Sequence, residues 1–453
     1  MSFSALDSGL LGPLFADGAM RAVFSETAAL GGMLRAEEAL ARAQAETEHA
    51  PPGLADALAA LSPASLDLAA LGAGTALAGV PVIPFVQAVR RLLPPELEPA
   101  FHRGATTQDI ADTTLVLLMR AGFDLIAEDC AVIVAGLSRL AAEHRATPCV
   151  GRTYGQHAAP ISFGYKAATW ALGVAEVAGQ LPDLRGRVLT ASLGGPVGTL
   201  GAFGGQAETV ANAYARHLGL RPEAVAWHTR RARVAEVGAW LARLLGALAK
   251  WAGDVVHLCS TEVAEVSEPV VPGRGGSSAM PHKRNPVSST VILAAFGAAK
   301  GLATTLLDAM ASAHERPAGA WHAEWHALPQ LFGLASGALR EGRTLVEGLI
   351  AEPDRMRANL DLTRGLLFAD AAAAACARRI GAAAAHALVE RAAGEVRATG
   401  RDLRSVLTGM LETDGVDLAP AFDLARPVAA AAAATDRALA SLNAMSVATP
   451  PLR

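Results

Sequence analysis

One short segment of the chain combines hydroxyl groups, mobile backbone and positive charge. Residues 275–286 read Gly-Gly-Ser-Ser-Ala-Met-Pro-His-Lys-Arg-Asn-Pro, with hydroxyls at Ser277 and Ser278 and cations at Lys283 and Arg284. The glycines loosen the backbone before the serines, and the closing proline suits the first position of a helix. A loop of this kind is typical of a site for an anionic substrate, although a solvated basic turn has the same composition.

A second polar segment precedes the longest helical pattern of the chain. Residues 102–109 read His-Arg-Gly-Ala-Thr-Thr-Gln-Asp. Either threonine could cap a helix, with Asp109 in its first turn. The same side chains could instead donate hydrogen bonds to a substrate carboxylate. The residues alone leave both interpretations open.

Three arginines lie within residues 227–233, which read Trp-His-Thr-Arg-Arg-Ala-Arg. Arginine binds carboxylates with two parallel hydrogen bonds, so this cluster suits a substrate with several carboxylates. The alternative is a solvated basic turn.

The segment 314–326 contains two histidines at a spacing that could suit a metal ion. His322 and His326 are four residues apart, as metal ligands on one helix face often are. The zinc-protease pattern would need glutamate at position 323, which is Ala323, and no third ligand is evident nearby. We therefore predict no metal site. The chain also lacks a Walker loop and a dinucleotide-binding fingerprint, and we predict no cofactor.

The elements that must position these segments are predicted to be helices. The 453 residues are 52% hydrophobic but only 5% aromatic, so the core must be built from Ala, Leu and Val, of which Ala and Leu favour helices. Apolar residues at helical spacing predict helices over 20–48, 112–144, 233–266 and 286–314. Strand patterns are nearly absent, apart from a short segment near 187–192, and the Ala-rich last ~95 residues are predicted to form shorter helices.

Long helices with more than one apolar face indicate an extended bundle that packs against other subunits. We predict an all-α protein that oligomerises. Three domains are expected: an N-terminal helical domain over 1–111, a central bundle of long helices over 112–357, and a C-terminal helical domain over 358–453.

Composition excludes several classes of partner. The net charge of −4 and the pI of about 6.3 argue against nucleic acid. No run approaches ~18 consecutive apolar residues, so no membrane-spanning helix is expected. The four cysteines are far apart and no secretory signal is seen, which predicts reduced thiols in the cytoplasm.

Taken together, three of the segments resemble signatures of the fumarase/aspartase superfamily. The loop at 275–286 is similar to its Gly-Ser-Ser-x-Met-Pro-x-Lys-x-Asn signature. Residues 151–160 match Gly-Arg-Thr-x-x-Gln-x-Ala-x-Pro, and residues 106–109 match Thr-Ser-x-Asp. Within the superfamily the chain most resembles the bacterial 3-carboxy-cis,cis-muconate cycloisomerase branch, through Trp321-His-Ala-Glu-Trp325, Asn359-Leu-Asp-Leu-Thr363 and Trp227-His-Thr229.

The resemblance implies a fumarase/aspartase-type fold, a homotetramer whose sites combine segments of three subunits, and a small tricarboxylate substrate. It assigns proton transfer to Ser277, and binding of the intermediate's carboxylate to Lys283 and Asn285. The residues that it implies for substrate binding are His102, Thr106, Thr107, Gln108, Thr153, Tyr154, Gln156, Arg231, Ser278, Met280, Arg316, Trp321 and His322.

The chain departs from its relatives at three positions. Fumarate-releasing purine lyases carry a catalytic histidine where this chain has Tyr154, and the cycloisomerase branch usually has tryptophan there. Adenylosuccinate lyases have a phosphate-binding arginine where this chain has Trp325, so a phosphate site looks absent. Ala232 stands where aspartate is usual. The alternatives are a fumarate-releasing lyase of the adenylosuccinate or argininosuccinate type, and a catalytically inactive structural relative.

Overall fold

The computed structural model describes residues 3–277, 279–411 and 415–448. Within them the chain is predominantly helical, which confirms the predicted all-α class. The helices are α1 Gly12–Phe15, α2 Gly18–Val23, α3 Glu26–Ala45, α4 Gly53–Ala59, α5 Leu68–Ala78, α6 Val82–Arg90, α7 Thr107–Glu143, α8 Phe163–Ala178, α9 Leu181–Val188, α10 Ala207–Leu218, α11 Ala232–Leu258, α12 Val287–Asp308, α13 Ala320–Gly348, α14 Pro353–Asp361, α15 Ala369–Ile380, α16 Ala382–Thr399, α17 Leu403–Met410 and α18 Ala425–Ala448.

Four long helices form the centre of the molecule. They are α7 with 37 residues, α11 with 27, α12 with 22 and α13 with 29. Helix α13 packs on α7, α11 and α12. Their shared core is mainly aliphatic and also contains aromatic side chains such as Phe123, Trp251 and Phe332. The central bundle of long helices is therefore confirmed.

Besides these helices, the described residues form five short 3₁₀ helices and two short antiparallel sheets. Strands β1 Pro148–Thr153 and β2 Gln156–Ser162 form a hairpin, and β3 Val266–Ser267 pairs with β4 Ile350–Ala351. The hairpin was not predicted, because its sequence matches a family motif and lacks a clean alternation of apolar residues. Its two-residue turn has φ of 51° at Tyr154 and 77° at Gly155, and such backbone favours a tight hairpin connection.

The strand predicted near residues 187–192 is wrong. Helix α9 continues to Val188, and beyond it only an isolated bridge joins Thr190 to Arg221. The predicted helices over 233–266 and 286–314 are also shorter than expected, because α11 ends at Leu258 and α12 at Asp308.

Three large buried apolar clusters lie along the described part of the chain, beside a small fourth cluster of Val150, Leu360 and Leu367. One cluster involves α3 to α6, a second fills the central bundle, and a third lies among α15 to α17. The division into domains 1–111, 112–357 and 358–453 remains a prediction. Both of its boundaries fall inside helices, since α7 runs through residue 111 and α14 through residue 357.

Helix α12 is the one helix among the described residues whose length and composition would suffice to cross a membrane, contrary to our expectation from sequence. Core helices of proteins that never enter a membrane have the same length and composition, so these properties alone do not indicate a membrane-spanning helix. Within the single chain α12 exposes an apolar face that includes Leu293, Gly297 and Gly301. A Cβ built at Gly297 or Gly301 would meet no atom within 4 Å in the described part of the chain.

Candidate active site

The N-terminus of α7 is organised around the buried carboxylate of Asp109. Its Oδ2 accepts hydrogen bonds from the backbone amides of Thr106 and Gly195, both at 2.9 Å. Its Oδ1 accepts from the amide of Gly194 at 2.8 Å and lies 2.6 Å from Nε2 of His228. Thr106 is the N-cap, so the capping interpretation holds for this segment. Our predicted site omitted Asp109 and His228, although both lie inside the recognised segments.

Arg316 joins the end of this helix to the segment 314–326. Its Nη2 donates to Thr106 Oγ1 at 2.9 Å and to the carbonyl of Pro196 at 3.3 Å, and its Nε donates to Gln108 Oε1 at 3.2 Å. Arg316 is exposed, whereas Gln108 is fully buried. The structure thus brings together Thr106, Gln108 and Arg316. Thr107 is the first residue of α7 beside them.

Beneath this surface lies a buried cluster of charges centred on Arg231. The guanidinium pairs with Asp112 at 2.7 Å and with Glu324, and all three side chains are at most 1% exposed. The indole of Trp321 donates to Asp112 at 3.0 Å. Burial lowers the pKa of Arg231, but the two carboxylates outweigh it and raise that pKa overall. Arg231 is therefore not part of a solvated basic turn. It is also not free to bind a substrate carboxylate, because its hydrogen-bond donors already face Asp112 and Glu324.

His102, which follows Phe101 shortly before α7, pairs with the buried side chain of Glu37. Its Nδ1 lies 2.5 Å from Oε1 of Glu37, which is 1% exposed and whose Oε2 has no partner in the described structure. Burial lowers the pKa of His102, but the charge of Glu37 and its hydrogen bond raise it overall. His102 therefore stays protonated to a higher pH than an ordinary histidine.

His322 faces a different part of the chain. Its Nε2 lies 3.1 Å from the carbonyl oxygen of Gly79, and its ring packs against Trp321 and Trp325. In the portions of the chain that are described, no group of three or more His, Cys, Asp or Glu side chains could hold a metal ion.

The hairpin carries three of the predicted binding residues at its tip. Thr153 and Gln156 pair across the turn, and Tyr154 extends fully into solvent with 104% of its reference surface exposed. Arg152 directly precedes Thr153, and its guanidinium donates to Glu265 at 2.5 and 3.0 Å. This ion pair anchors the strand immediately before the tip, from which Tyr154 extends outward.

The signature loop forms a third surface. Gly276 bridges Arg284, and the amide of Asn285 donates to the carbonyl of Gly275 at 2.8 Å, which closes the loop on itself. Gly275 has φ of 69°, and a Cβ there would meet the carbonyl oxygen of Asn285 at 2.6 Å, so glycine is required. Ser277 Oγ accepts from the amide of Met280 at 3.2 Å.

Lys283 and Asn285 are exposed and line a cleft of about 560 Å³. Glu268 and Cys259 line the same cleft. Met280 is 42% exposed at the outer edge of the loop. Ser278 lies outside the described residues.

Most of the predicted site residues lie on three separate surfaces of one chain: the α7 surface (His102 to Asp109 with Arg316), the hairpin tip (Thr153 to Gln156) and the signature loop (Gly275 to Pro286). Arg231 and Trp321 are instead buried, and His322 contacts the carbonyl of Gly79. No hydrogen bond or ion pair among the described residues links one of these surfaces to another. The geometry of a single chain can bind carboxylates at each surface, but it does not assemble them into one pocket.

Comparison with known proteins gives consistent results. Residues 17–301 match the lyase family. The chain is 44% identical over 434 residues to a 3-carboxy-cis,cis-muconate cycloisomerase of Pseudomonas aeruginosa, covering 94% of this chain and 95% of the relative. It is 41% identical over 453 residues to a nitrosuccinate lyase of Streptomyces davaonensis, covering 96% and 95%.

Solved structures agree with these sequence relatives. The crystal structure of the 3-carboxy-cis,cis-muconate lactonizing enzyme from Pseudomonas putida superimposes with a TM-score of 0.92 at 40% identity, covering 97% of this chain and 100% of that one. The Mesorhizobium fumarate lyase superimposes with a TM-score of 0.86 at 36% identity, covering 94% and 98%. The chain belongs to the fumarase/aspartase superfamily.

Proposed function

We propose that this protein is a cycloisomerase that interconverts 3-carboxy-cis,cis-muconate and 4-carboxymuconolactone in protocatechuate breakdown by the β-ketoadipate pathway. The observation that carries the proposal is the intact loop with Ser277, Lys283 and Asn285 on a chain that resembles cycloisomerases over nearly its whole length. The four cysteines are free thiols, which fits a reducing compartment such as the cytoplasm.

The chemistry is an intramolecular addition. One substrate carboxylate adds across a double bond, and the carbon next to another carboxylate takes a proton. In reverse, Ser277 Oγ removes that proton, the electron pair moves into the adjacent carboxylate as an aci form, and the ring carboxylate leaves. Lys283 and Asn285 would face the extra negative charge of this intermediate. Ser277 needs stabilisation of its alkoxide, because a serine hydroxyl is a weak base at its ordinary pKa.

The leaving group explains the absence of histidine at position 154. A carboxylate with a pKa of about 4 departs as a stable anion and needs no proton, whereas an amine does. The exposed position of Tyr154 at the hairpin tip fits a residue that shapes the pocket of a neighbouring subunit.

We expect Tyr154→Phe to remain active, with a loss no larger than the strength of one hydrogen bond. Loss of the phenol would remove at most one hydrogen bond to a substrate carboxylate, worth about 0.5–3 kcal/mol. Steady-state kcat/KM measures the effect, and Tyr154→Trp should also remain active. A Tyr154→Phe enzyme as inactive as one lacking Ser277 would show that the tyrosine takes part in proton transfer.

We infer that the protein is a homotetramer whose sites each combine three subunits. The separation of the three surfaces within one chain supports this inference, and the exposed apolar face of α12 offers the contact between subunits. Co-expression of Ser277→Ala and Arg316→Ala chains tests it. Random assembly would leave about a quarter of the sites with both residues intact, so activity should partly return.

The matched control combines Ser277→Ala with Lys283→Ala chains. Both residues lie in the same loop, and mixing should then restore nothing. Equal behaviour of the two mixtures would contradict sites shared between subunits.

Ultraviolet absorbance tests the reaction itself. The conjugated muconate should lose its absorbance as the lactone forms. A parallel panel of nitrosuccinate, adenylosuccinate and argininosuccinate covers the competing lyase activities, in which release of nitrite or fumarate replaces ring closure. Turnover of a panel substrate without turnover of the muconate would reject the cycloisomerase, and turnover of none would favour a catalytically inactive relative.

A further inference from the structure

We propose that Gln108 is a positioning residue that sets the direction of Arg316 toward a substrate carboxylate and does not itself contact the substrate. The proposal rests on the function proposed above, and it refines the role that the family resemblance implies for Gln108. Gln108 is 0% exposed, whereas Arg316 lies at the surface directly above it.

The orientation of the Gln108 amide is determined by its neighbours. Its Nε2 donates to the carbonyl of His228 at 2.9 Å and to Asp112 Oδ2 at 3.2 Å. Both partners accept, since one is a backbone carbonyl and the other is a carboxylate whose oxygens also accept from Arg231. The amide oxygen must therefore point the other way, toward Arg316, which can only donate.

This series of hydrogen bonds connects the buried charged cluster to a side chain at the surface. Asp112 is held by the Arg231 guanidinium and by the indole of Trp321. Gln108 connects Asp112 to Nε of Arg316, while Nη2 is held by Thr106 and Pro196. Among the described residues nothing accepts from Nη1 of Arg316. A guanidinium held along one edge presents its remaining N–H groups in a single direction. This reduces the conformational entropy that the side chain loses when it binds a carboxylate.

A double-mutant cycle tests the proposal, with tricarballylate as an unreactive tricarboxylate probe and calorimetry as the readout. The four proteins are the wild type, Gln108→Met, Arg316→Ala and the double variant. Gln108→Met removes the amide at similar volume. It should weaken binding about tenfold in the wild-type background, which corresponds to about 1.4 kcal/mol. In the Arg316→Ala background the same change should have no further effect.

Gln180→Met is the matched control. Its amide oxygen accepts from Arg243 at 2.8 Å, the same type of contact at a different place, and tricarballylate affinity should be unchanged. An undiminished effect of Gln108→Met in the Arg316→Ala background would overturn the proposal, because Gln108 would then act directly or through the fold. Failure of tricarballylate to bind the wild type would also overturn it. Failure of the muconate assay with an intact binding cycle would reject only the proposed reaction.

Discussion

Replacing Ser277 with alanine is expected to lower kcat by roughly 100-fold or more, because the variant lacks the group to which we assign proton transfer. Among the described residues, the hydroxyl accepts hydrogen bonds from the nearby amides of Ala279 and Met280 alone, within an exposed loop. Its loss should therefore leave the thermal unfolding temperature and the oligomeric state unchanged. Steady-state kinetics on the muconate, together with thermal unfolding, separates the two effects.

Ser65→Ala provides the comparison. Ser65 is exposed in the N-terminal region, and its hydroxyl donates to the nearby carbonyl of Ser62 at 2.6 Å. This variant should keep its full rate. If Ser277→Ala retains more than about a tenth of the wild-type rate, the assignment of proton transfer to Ser277 is wrong, since a general acid–base group contributes more than that.

Replacing Arg231 with methionine is expected to destabilise the fold by about 3–5 kcal/mol, which is typical of removing one partner from a buried ion pair. Asp112 and Glu324 would face each other with no cation between them. Chemical denaturation measures the free energy of unfolding. The control is Arg230→Met, since Arg230 is exposed and pairs at the surface with Glu223, where ion pairs contribute at most about 1 kcal/mol.

The pH dependence of the Arg231→Met variant gives a second test. Burial already raises the pKa of Glu324, although Arg231 opposes that rise. Without Arg231 the pKa rises further, so the folded state binds more protons than the unfolded state. The penalty should therefore grow as pH rises above the ordinary carboxyl pKa, and should be smaller at about pH 5.5 than at about pH 8. A penalty that does not depend on pH would show that lost packing is its cause.

The sequence by itself determined the helical class, the long central helices and the segments that match the family signatures. Periodic apolar residues specify a helix from near neighbours, and the glycines, serine and lysine of the loop at 275–286 lie within one short run. Such signals depend only on residues that are close in sequence, so they can be recognised without knowledge of the folded structure.

Only the tertiary structure decided what several of these residues do. Arg231 looked like a ligand for substrate carboxylates, but Asp112 and Glu324, which are 119 and 93 positions away in sequence, occupy its guanidinium. Gln108 points inward because the carbonyl of His228, 120 positions away, accepts from its amide. Burial and charge pairing depend on which distant segments meet, and neither residue type nor local spacing specifies that meeting.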